Sequence, residues 1–210
     1  MSDTLSNPDS HSHTPRLVLI LGGARSGKST FAERLAATSG RSVVYIATAT
    51  ASDDEMRDRI ARHQASRPAH WLTIEEPLDI AGAVLRASEK ADVLLLDCIT
   101  LWLGNFMGNM KTDDDVESIA FQNAFTQAAL VDIERLLAIV AKLPEGKTLL
   151  VVSNEVGLGI VPAYALGRVY RDTLGIVNQR LAWSANRVYM LVAGLAIDIK
   201  RLHEEAQLDD

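Results

Sequence analysis

The sequence predicts an α/β domain in which helices flank a mostly parallel sheet, and three observations support this. Short apolar runs recur along the chain, segments with helical periodicity lie between them, and a glycine-rich loop joins the first run to the first helix. Continuous apolar runs are typical of strands buried on both faces, as in parallel sheets. Their alternation with helices predicts right-handed crossovers in one layered domain.

Five strands and five helices can be assigned in order. The strand candidates are rich in Val, Leu and Ile and end at polar or turn residues: Arg16–Leu21, Ser42–Ala47, Asp92–Asp97, Thr148–Ser153 and Arg187–Gly194. Apolar residues at three- and four-residue spacing predict helices over Ser29–Thr38, Asp53–Ser66, Leu78–Ser88, about 115–142 and about 172–185. Ser52 followed by Glu55 fits a capping box for the second helix, and Pro68 follows its end.

The composition is that of an ordinary globular chain. Its 210 residues are 48% apolar and 23% charged, which disfavours both wholesale disorder and a membrane bundle. A net charge of −6 provides no overall positive field for nucleic acid. We expect residues 1–15 to be a disordered leader and residues 16–210 to form one domain. The single cysteine, Cys98, excludes an internal disulfide and fits a cytoplasmic protein.

The glycine-rich loop matches the pattern G-x-x-x-x-G-K-[ST] and lies between a predicted strand and a predicted helix, as a phosphate-binding loop must. It consists of Gly22, Gly23, Ala24, Arg25, Ser26, Gly27, Lys28 and Ser29. Backbone N–H groups and the helix N-terminus would surround the phosphates, and the Lys28 ammonium would reach the β- and γ-phosphates. Ser29 would bind Mg²⁺, together with Asp97 at the end of a buried strand. The sequence therefore predicts nucleotide binding.

The phosphate loop leaves the reaction open. A regulatory GTPase should carry N-K-x-D, whereas the nearest segment, Ser153–Val156, lacks both Lys and Asp. An acidic chain is a poor match for a nucleic-acid motor, which needs basic loops to contact its substrate. A small-molecule kinase fits better.

A histidine among arginines is the second informative feature. Arg59 and Arg67 lie four residues on either side of His63, with Arg62 beside it, so a helix would place them together. We expect these positive charges to keep the imidazole neutral, and a neutral ring nitrogen can attack phosphorus. A histidine on an amphipathic helix is also commonly only packed or solvated, so spacing alone does not decide its role.

Several further motifs follow the phosphate loop in a fixed order. They are Tyr45–Thr48, Asp53–Met56, His63 with Arg67–Pro68, Asn154–Gly157, Gly159–Pro162, Arg168, Tyr170–Asp172, Gly175 and Asn178–Gln179. With this set the chain resembles the bifunctional adenosylcobinamide kinase / adenosylcobinamide-phosphate guanylyltransferases of cobalamin biosynthesis. The resemblance extends from about Leu17 to Lys200.

The resemblance implies a RecA-like P-loop NTPase fold, a homotrimer and two successive reactions. ATP or GTP would phosphorylate adenosylcobinamide, and GTP would then guanylylate His63 and pass GMP to the cobinamide phosphate. It also implies Mg²⁺ and GTP contacts beyond the phosphate loop, at Ala47, Thr48, Ala49, Gln64, Ala65, Ser66, Arg67, Glu75 and Asp97. The corrinoid is large and amphipathic, so we expect it to bind in a cleft between subunits.

Two alternatives remain open at this stage. A single-step kinase for another metabolite would need only the phosphate loop, with His63 structural. A non-catalytic nucleotide-binding regulator would need no nucleophile at all. Three features have no assigned chemical role: Arg62, where some relatives have a second histidine; Asn186, where we would expect Asp; and the predicted loop Gly104–Asp115.

Overall fold

The fold is taken from a computed structural model that describes residues 16–50, 54–110, 116 and 118–207. The predicted leader, 1–15, and Ser52 and Asp53 of the predicted capping box lie outside the described residues. The sequence predicts a single domain over residues 16–210, and the structure describes nearly all of these residues.

The described residues form seven strands and seven helices. The strands are β1 (Leu17–Gly22), β2 (Val43–Ala47), β3 (Leu72–Glu75), β4 (Val93–Asp97), β5 (Thr148–Val152), β6 (Arg187–Val192) and β7 (Leu195–Asp198). The helices are α1 (Lys28–Thr38), α2 (Asp54–Ser66), α3 (Ile80–Ser88), α4 (Ile99–Asn109), α5 (Ile119–Ala141), α6 (Ala165–Ser184) and α7 (Ile199–Gln207).

All seven strands belong to one sheet, in the order β3-β2-β4-β5-β1-β6-β7. Every neighbouring pair is parallel except β6 and β7, which are antiparallel. The carboxyl ends of parallel strands meet at one edge of a sheet, where open α/β folds bind ligands. Here that edge carries the end of β1 at Gly22, and Ala47 opposite Asp97 on β2 and β4. The predicted fold class is confirmed.

Both faces of the sheet are buried at β1, β2, β4 and β5, which explains the continuous apolar runs of these strands. Alternate residues of a strand point to opposite faces. Leu17, Leu19 and Leu21 of β1 pack with helices α3 to α6. Val18 and Ile20 pack on the other face, beneath Ala32 and Ala36 of α1. Small residues on α1 bring that helix, and the phosphate loop at its start, close to the sheet.

Four elements were absent from the sequence prediction, and one began too late. Strands β3 and β7 are short and largely exposed edge strands, and none of the α7 side chains is buried, so none has a strong apolar pattern. Helix α4 occupies much of the segment predicted as the loop Gly104–Asp115, so that prediction was wrong for 104–109.

Helix α6 begins at Ala165, not near residue 172. Gly167 lowers the helical propensity of its first turn. A Cβ at this position would lie 2.6 Å from the Tyr164 ring and 2.9 Å from Pro162, so glycine is needed for packing.

Asn186 has a structural role. Its Oδ1 accepts hydrogen bonds of 2.9 Å from the backbone N–H groups of both Arg16 and Leu17. An amide side chain thereby fixes the start of β1 against β6. No helix in the described part of the chain is long and apolar enough to cross a bilayer.

Candidate functional site

The phosphate loop leaves β1 at Gly22 and enters α1 at Lys28. Gly27, with φ of 94°, adopts the left-handed conformation that glycine allows at a helix start. The Phe31 N–H donates to Gly27 O at 2.9 Å, and the Gly194 N–H donates to Ser26 O at 3.0 Å. Gly194 lies in the turn between β6 and β7, so the β6–β7 hairpin supports the phosphate loop through this hydrogen bond.

Gly22 makes a close contact that no larger residue could make. A Cβ at this position would lie 2.5 Å from Leu191 O and 2.6 Å from Ser26 Oγ, and φ is +153°. By contrast, a Cβ on Gly23 would meet no atom within 4 Å. The first glycine of the motif is therefore required by packing.

Lys28 is directed into the loop. Its ammonium Nζ donates to Gly23 O at 2.7 Å, and the residue is only 7% exposed. Burial lowers the pKa of Lys28, whereas the negative charge of Asp97 opposes that change. The lysine is thus a buried cation at the loop, in position to exchange a carbonyl contact for a phosphate.

A cleft of about 580 Å³ opens above the loop at the carboxyl edge of the sheet. It brings together most of the residues predicted for the site: Ala24, Arg25, Ser26, Gly27, Lys28, Ser29, Ala47, Ala49, His63, Gln64, Arg67, Glu75 and Asp97. Gly22, Gly23, Thr48 and Ala65 do not line it, and the Ser66 side chain lies outside the described residues. Residues distant in sequence therefore share one cavity.

Thr48 is buried and bonded within the protein instead of facing the cleft. Its hydroxyl donates to Cys98 O at 2.7 Å and accepts from Cys98 N at 2.7 Å. Thr48 thereby ties the end of β2 to the end of β4. Burial also raises the pKa of the Cys98 thiol to about 12, which makes this cysteine a neutral neighbour of the cleft.

Tyr45 links two predicted site residues and was itself missed. Its hydroxyl donates to Asp97 Oδ2 at 2.8 Å, and the Arg67 guanidinium stacks on its ring, 3.4 Å from the centroid. Burial raises the pKa of Tyr45 far above its ordinary value, so the hydroxyl remains a donor. Tyr45 opens one of the motifs that carry the family resemblance, and that position could have identified it.

The electrostatic setting of His63 differs from the prediction. Its Nδ1 lies 3.8 Å from Glu33 Oε1, and interaction with Glu33 raises the pKa of His63, with a smaller contribution from Asp97. Burial and Arg67 oppose this rise. Arg62 instead pairs with Asp58 at 2.8 Å in solvent, and nothing is described of the Arg59 side chain. The expectation that arginines dominate was wrong because the Glu33 carboxylate on α1 raises the pKa of His63 more than Arg67 lowers it.

The donor set fits Mg²⁺. Ser29 and Asp97 line the same cleft, and one Asp97 oxygen is occupied by Tyr45 while the carboxylate retains a second. Mg²⁺ in nucleotide sites uses one or two protein oxygens with substrate phosphates and water. The described residues contain no cluster of three or more His, Cys, Asp or Glu that could hold a metal by themselves, and this mode of binding needs none.

The family described as cobinamide kinase / cobinamide phosphate guanyltransferase matches residues 18–199. The chain belongs to this family. It is 48% identical over 182 residues to the bifunctional adenosylcobalamin biosynthesis protein CobP of Pseudomonas aeruginosa, covering 87% of this chain and 96% of that one. It is 40% identical over 184 residues to the corresponding CobU of Escherichia coli, covering 88% and 99%.

A solved ATPase from the type III secretion system of pathogenic bacteria has a related fold. It superposes with a TM-score of 0.52 at 12% sequence identity, covering 90% of this chain and 53% of that one. This likeness supports the P-loop NTPase fold alone.

Other residues that line the cleft were not predicted as site residues. They are Thr30, Ile60, Cys98, Thr100, Leu101, Val152 and Asn154. The Asn154 N–H donates to Thr100 Oγ at 2.9 Å, which joins the segment after β5 to α4. Asn154 lies in one of the motifs that carry the family resemblance, and that was the one signal that could have identified it.

Proposed function

We propose that this chain phosphorylates adenosylcobinamide and then transfers GMP from GTP to the resulting phosphate through a guanylyl-histidine on His63. The observation that carries the proposal is that one cleft contains His63, Lys28 and Asp97. Family membership and relatives named as bifunctional adenosylcobalamin biosynthesis proteins support both reactions.

The triphosphate would bind over the phosphate loop. The N–H groups of the loop and the start of α1 form an anion-binding surface, and Lys28 would exchange Gly23 O for phosphate oxygens. Further GTP contacts are proposed where the cleft continues, at Ala47, Ala49, Gln64, Arg67 and Glu75. For Thr48, the structure supports an indirect role, because its hydroxyl is bonded to Cys98. The proposed contacts at Ala65 and Ser66 rest on the resemblance alone.

Ser29 and Asp97 would hold Mg²⁺. When bound, the ion neutralises phosphate charge during transfer. Tyr45 orients the Asp97 carboxylate, and the Arg67 cation adds charge on the side of the cleft where His63 lies.

Both reactions need a triphosphate whose charge is neutralised, and they differ in the phosphorus attacked. In the first reaction the substrate hydroxyl attacks the γ-phosphorus of ATP or GTP and releases its proton to water, and the nucleoside diphosphate leaves. In the second, a His63 ring nitrogen attacks the α-phosphorus of GTP and pyrophosphate leaves. The cobinamide phosphate then attacks the same phosphorus and frees the histidine. Positioning and electrostatic stabilisation provide most of the catalysis in such transfers.

The assembly and location are also proposals. A homotrimer with the corrinoid between subunits is supported by an exposed apolar run that includes Leu158, Ile160, Val161 and Tyr164, beside a second cavity next to α6. A cytoplasmic location is supported by the single free cysteine, Cys98.

The test is covalent capture of the guanylyl group. The protein is incubated with Mg²⁺ and GTP radiolabelled at the α-phosphorus, denatured and washed. We expect an acid-labile, alkali-stable adduct on the wild-type chain and none on His63→Ala, which should keep most of its phosphorylation activity. No adduct on the wild-type chain, or an equal adduct on His63→Ala, would contradict the proposal and favour a single-step kinase.

A further inference from the structure

We propose that Glu33 is a positioning residue for His63. Its carboxylate holds the Nδ1–H of the imidazole, so that Nε2 is the nitrogen presented to the α-phosphorus. The inference rests on the proposed function, because it concerns how the histidine meets GTP. Glu33 is distant from His63 in sequence and lies on a different helix, which is why no motif or spacing indicated it.

The fold places Glu33 on the rigid element that also carries the phosphate site. Helix α1 begins at Lys28 and Ser29, and Glu33 follows just over one turn later. Its Oε1 lies 3.8 Å from His63 Nδ1. A change of about 1 Å, within the reach of side-chain rotation, would make an N–H···O bond of ordinary length. The carboxylate is thus fixed relative to both the phosphates and the ring.

Burial of Glu33 supports a specific partner. Its side chain is 16% exposed, and Oε1 accepts no hydrogen bond of ordinary length from the part of the chain that the structure describes. Leaving a buried carboxylate oxygen unsatisfied is costly, so such an atom in a native site requires a reason. A hydrogen bond from the Nδ1–H of the His63 ring would satisfy this oxygen.

The other charges around His63 do not duplicate this contact. Asp97 faces the ring from the end of β4, and Arg67 from the segment after α2. Arg67 is a cation, and one Asp97 oxygen accepts from Tyr45. Among the described groups that face His63, Glu33 is the carboxylate within ion-pair distance of Nδ1.

The chemistry requires a defined tautomer. A neutral imidazole has one N–H and one nitrogen with a free electron pair. With the proton on Nδ1, the Nε2 pair forms the N–P bond, the bond from the α-phosphorus to the bridging oxygen breaks, and its electrons leave on pyrophosphate. The ring becomes cationic and keeps its Nδ1–H.

Glu33 then stabilises the positive charge that develops on the ring, as a carboxylate does for the histidine of a catalytic triad. When the cobinamide phosphate attacks the phosphorus, the electrons of the N–P bond return to Nε2. The Nδ1 proton remains on the ring throughout both steps. No additional acid, base or reductant is needed.

The first measurement is the single-turnover rate of adduct formation on Glu33→Gln and Glu33→Ala, with Glu145→Gln as the matched control because Glu145 is an exposed carboxylate. Loss of the residue that orients a metal-binding histidine costs about 10- to 100-fold, and loss of the triad carboxylate beside a catalytic histidine costs about 10⁴-fold, so a loss of at least about 10-fold is the expected scale. We expect such a loss for Glu33→Gln and at least as much for Glu33→Ala. The KM for GTP and the phosphorylation rate should change by no more than a few-fold, and Glu145→Gln should match the wild type.

The second measurement reads the tautomer directly, by NMR of protein with isotopically labelled histidine ring nitrogens, at alkaline pH where the ring is neutral. His63→Ala identifies the His63 signal. We expect the Nδ1–H tautomer in the wild type and an increased share of Nε2–H in Glu33→Ala.

A dominant Nε2–H tautomer in the wild type, or wild-type adduct rates in both Glu33 variants, would overturn the inference. Equal loss of phosphorylation and adduct formation would also overturn it, because that pattern indicates a purely structural role. Absence of any adduct on a wild-type chain that shows the Nδ1–H tautomer would contradict the proposed function while supporting the Glu33–His63 pair.

Discussion

The phosphate loop and helix α2 face the same cleft but are held in place very differently. The loop follows a strand whose six residues are all buried, and hydrogen bonds tie it to α1 and to the β6–β7 turn. None of the α2 side chains that the structure describes is buried. The triphosphate site is thus part of the core, whereas His63 is presented from a surface helix through a few polar contacts. The two should respond differently to mutation.

The largest expected effect is that of Lys28→Ala. Both proposed reactions use the same triphosphate site, so losing the buried ammonium should slow phosphorylation and adduct formation together, each by at least about 10²-fold. Steady-state assays of phosphorylation and single-turnover capture of the adduct measure the two effects. His63→Ala is the contrasting variant, since it should abolish only the second reaction. A Lys28→Ala chain that lost one activity and kept the other would show that the reactions do not share the loop.

A smaller effect is expected on stability from the packing of the loop. Gly22→Ala places a Cβ 2.5 Å from Leu191 O at a φ of +153°, so we expect a loss of about 1–3 kcal/mol in the free energy of unfolding. Gly23→Ala is the matched control, because its Cβ would meet open space, and it should leave the free energy of unfolding nearly unchanged. Urea denaturation measures both. Equal stability of the two variants would show that the loop is not packed against β6 as described.

The smallest expected effect is a shift in the titration of His63. It tests the interaction of His63 on α2 with Glu33 on α1. Glu33 favours the charged ring and raises the pKa of His63 above its ordinary value. The ion pair therefore stabilises the folded chain below the unfolded histidine pKa, and this contribution is lost as the pH rises through the folded pKa.

NMR titration of the ligand-free protein should give a midpoint above that of an unperturbed histidine, and Glu33→Gln should lower it. The uncharged, nucleophilic ring should therefore form at lower pH in the variant. A wild-type midpoint below the ordinary value would mean that Arg67 and burial outweigh Glu33, and it would agree with the sequence-based expectation that nearby arginines keep the ring neutral.

The accuracy of the sequence predictions follows the same division between core and surface. β1, β2, β4, β5 and β6 were all predicted to within one or two residues of their bounds. The first four are buried on both faces and have unbroken apolar runs, whereas β6 is only partly buried but is also mostly apolar in sequence. β3, β7 and α7 were missed because exposed edges and surface helices need no such pattern. Helix α4 was missed because its second half lies in the segment Gly104–Asp115, which was interpreted as a loop.

Sequence by itself determined the phosphate loop, the strands beneath it and the family, because these depend on local residue order: glycines where the backbone approaches closely, a lysine at the helix start, and apolar runs for a two-sided core. Only the tertiary structure brought Glu33 to His63, Tyr45 to Asp97 and Arg67 to the Tyr45 ring. Each of these contacts joins residues from different elements, and the sign of the His63 pKa shift depends on how Glu33, Asp97 and Arg67 are arranged around the ring. Distance in space sets that interaction, and the order of residues along a chain does not specify it.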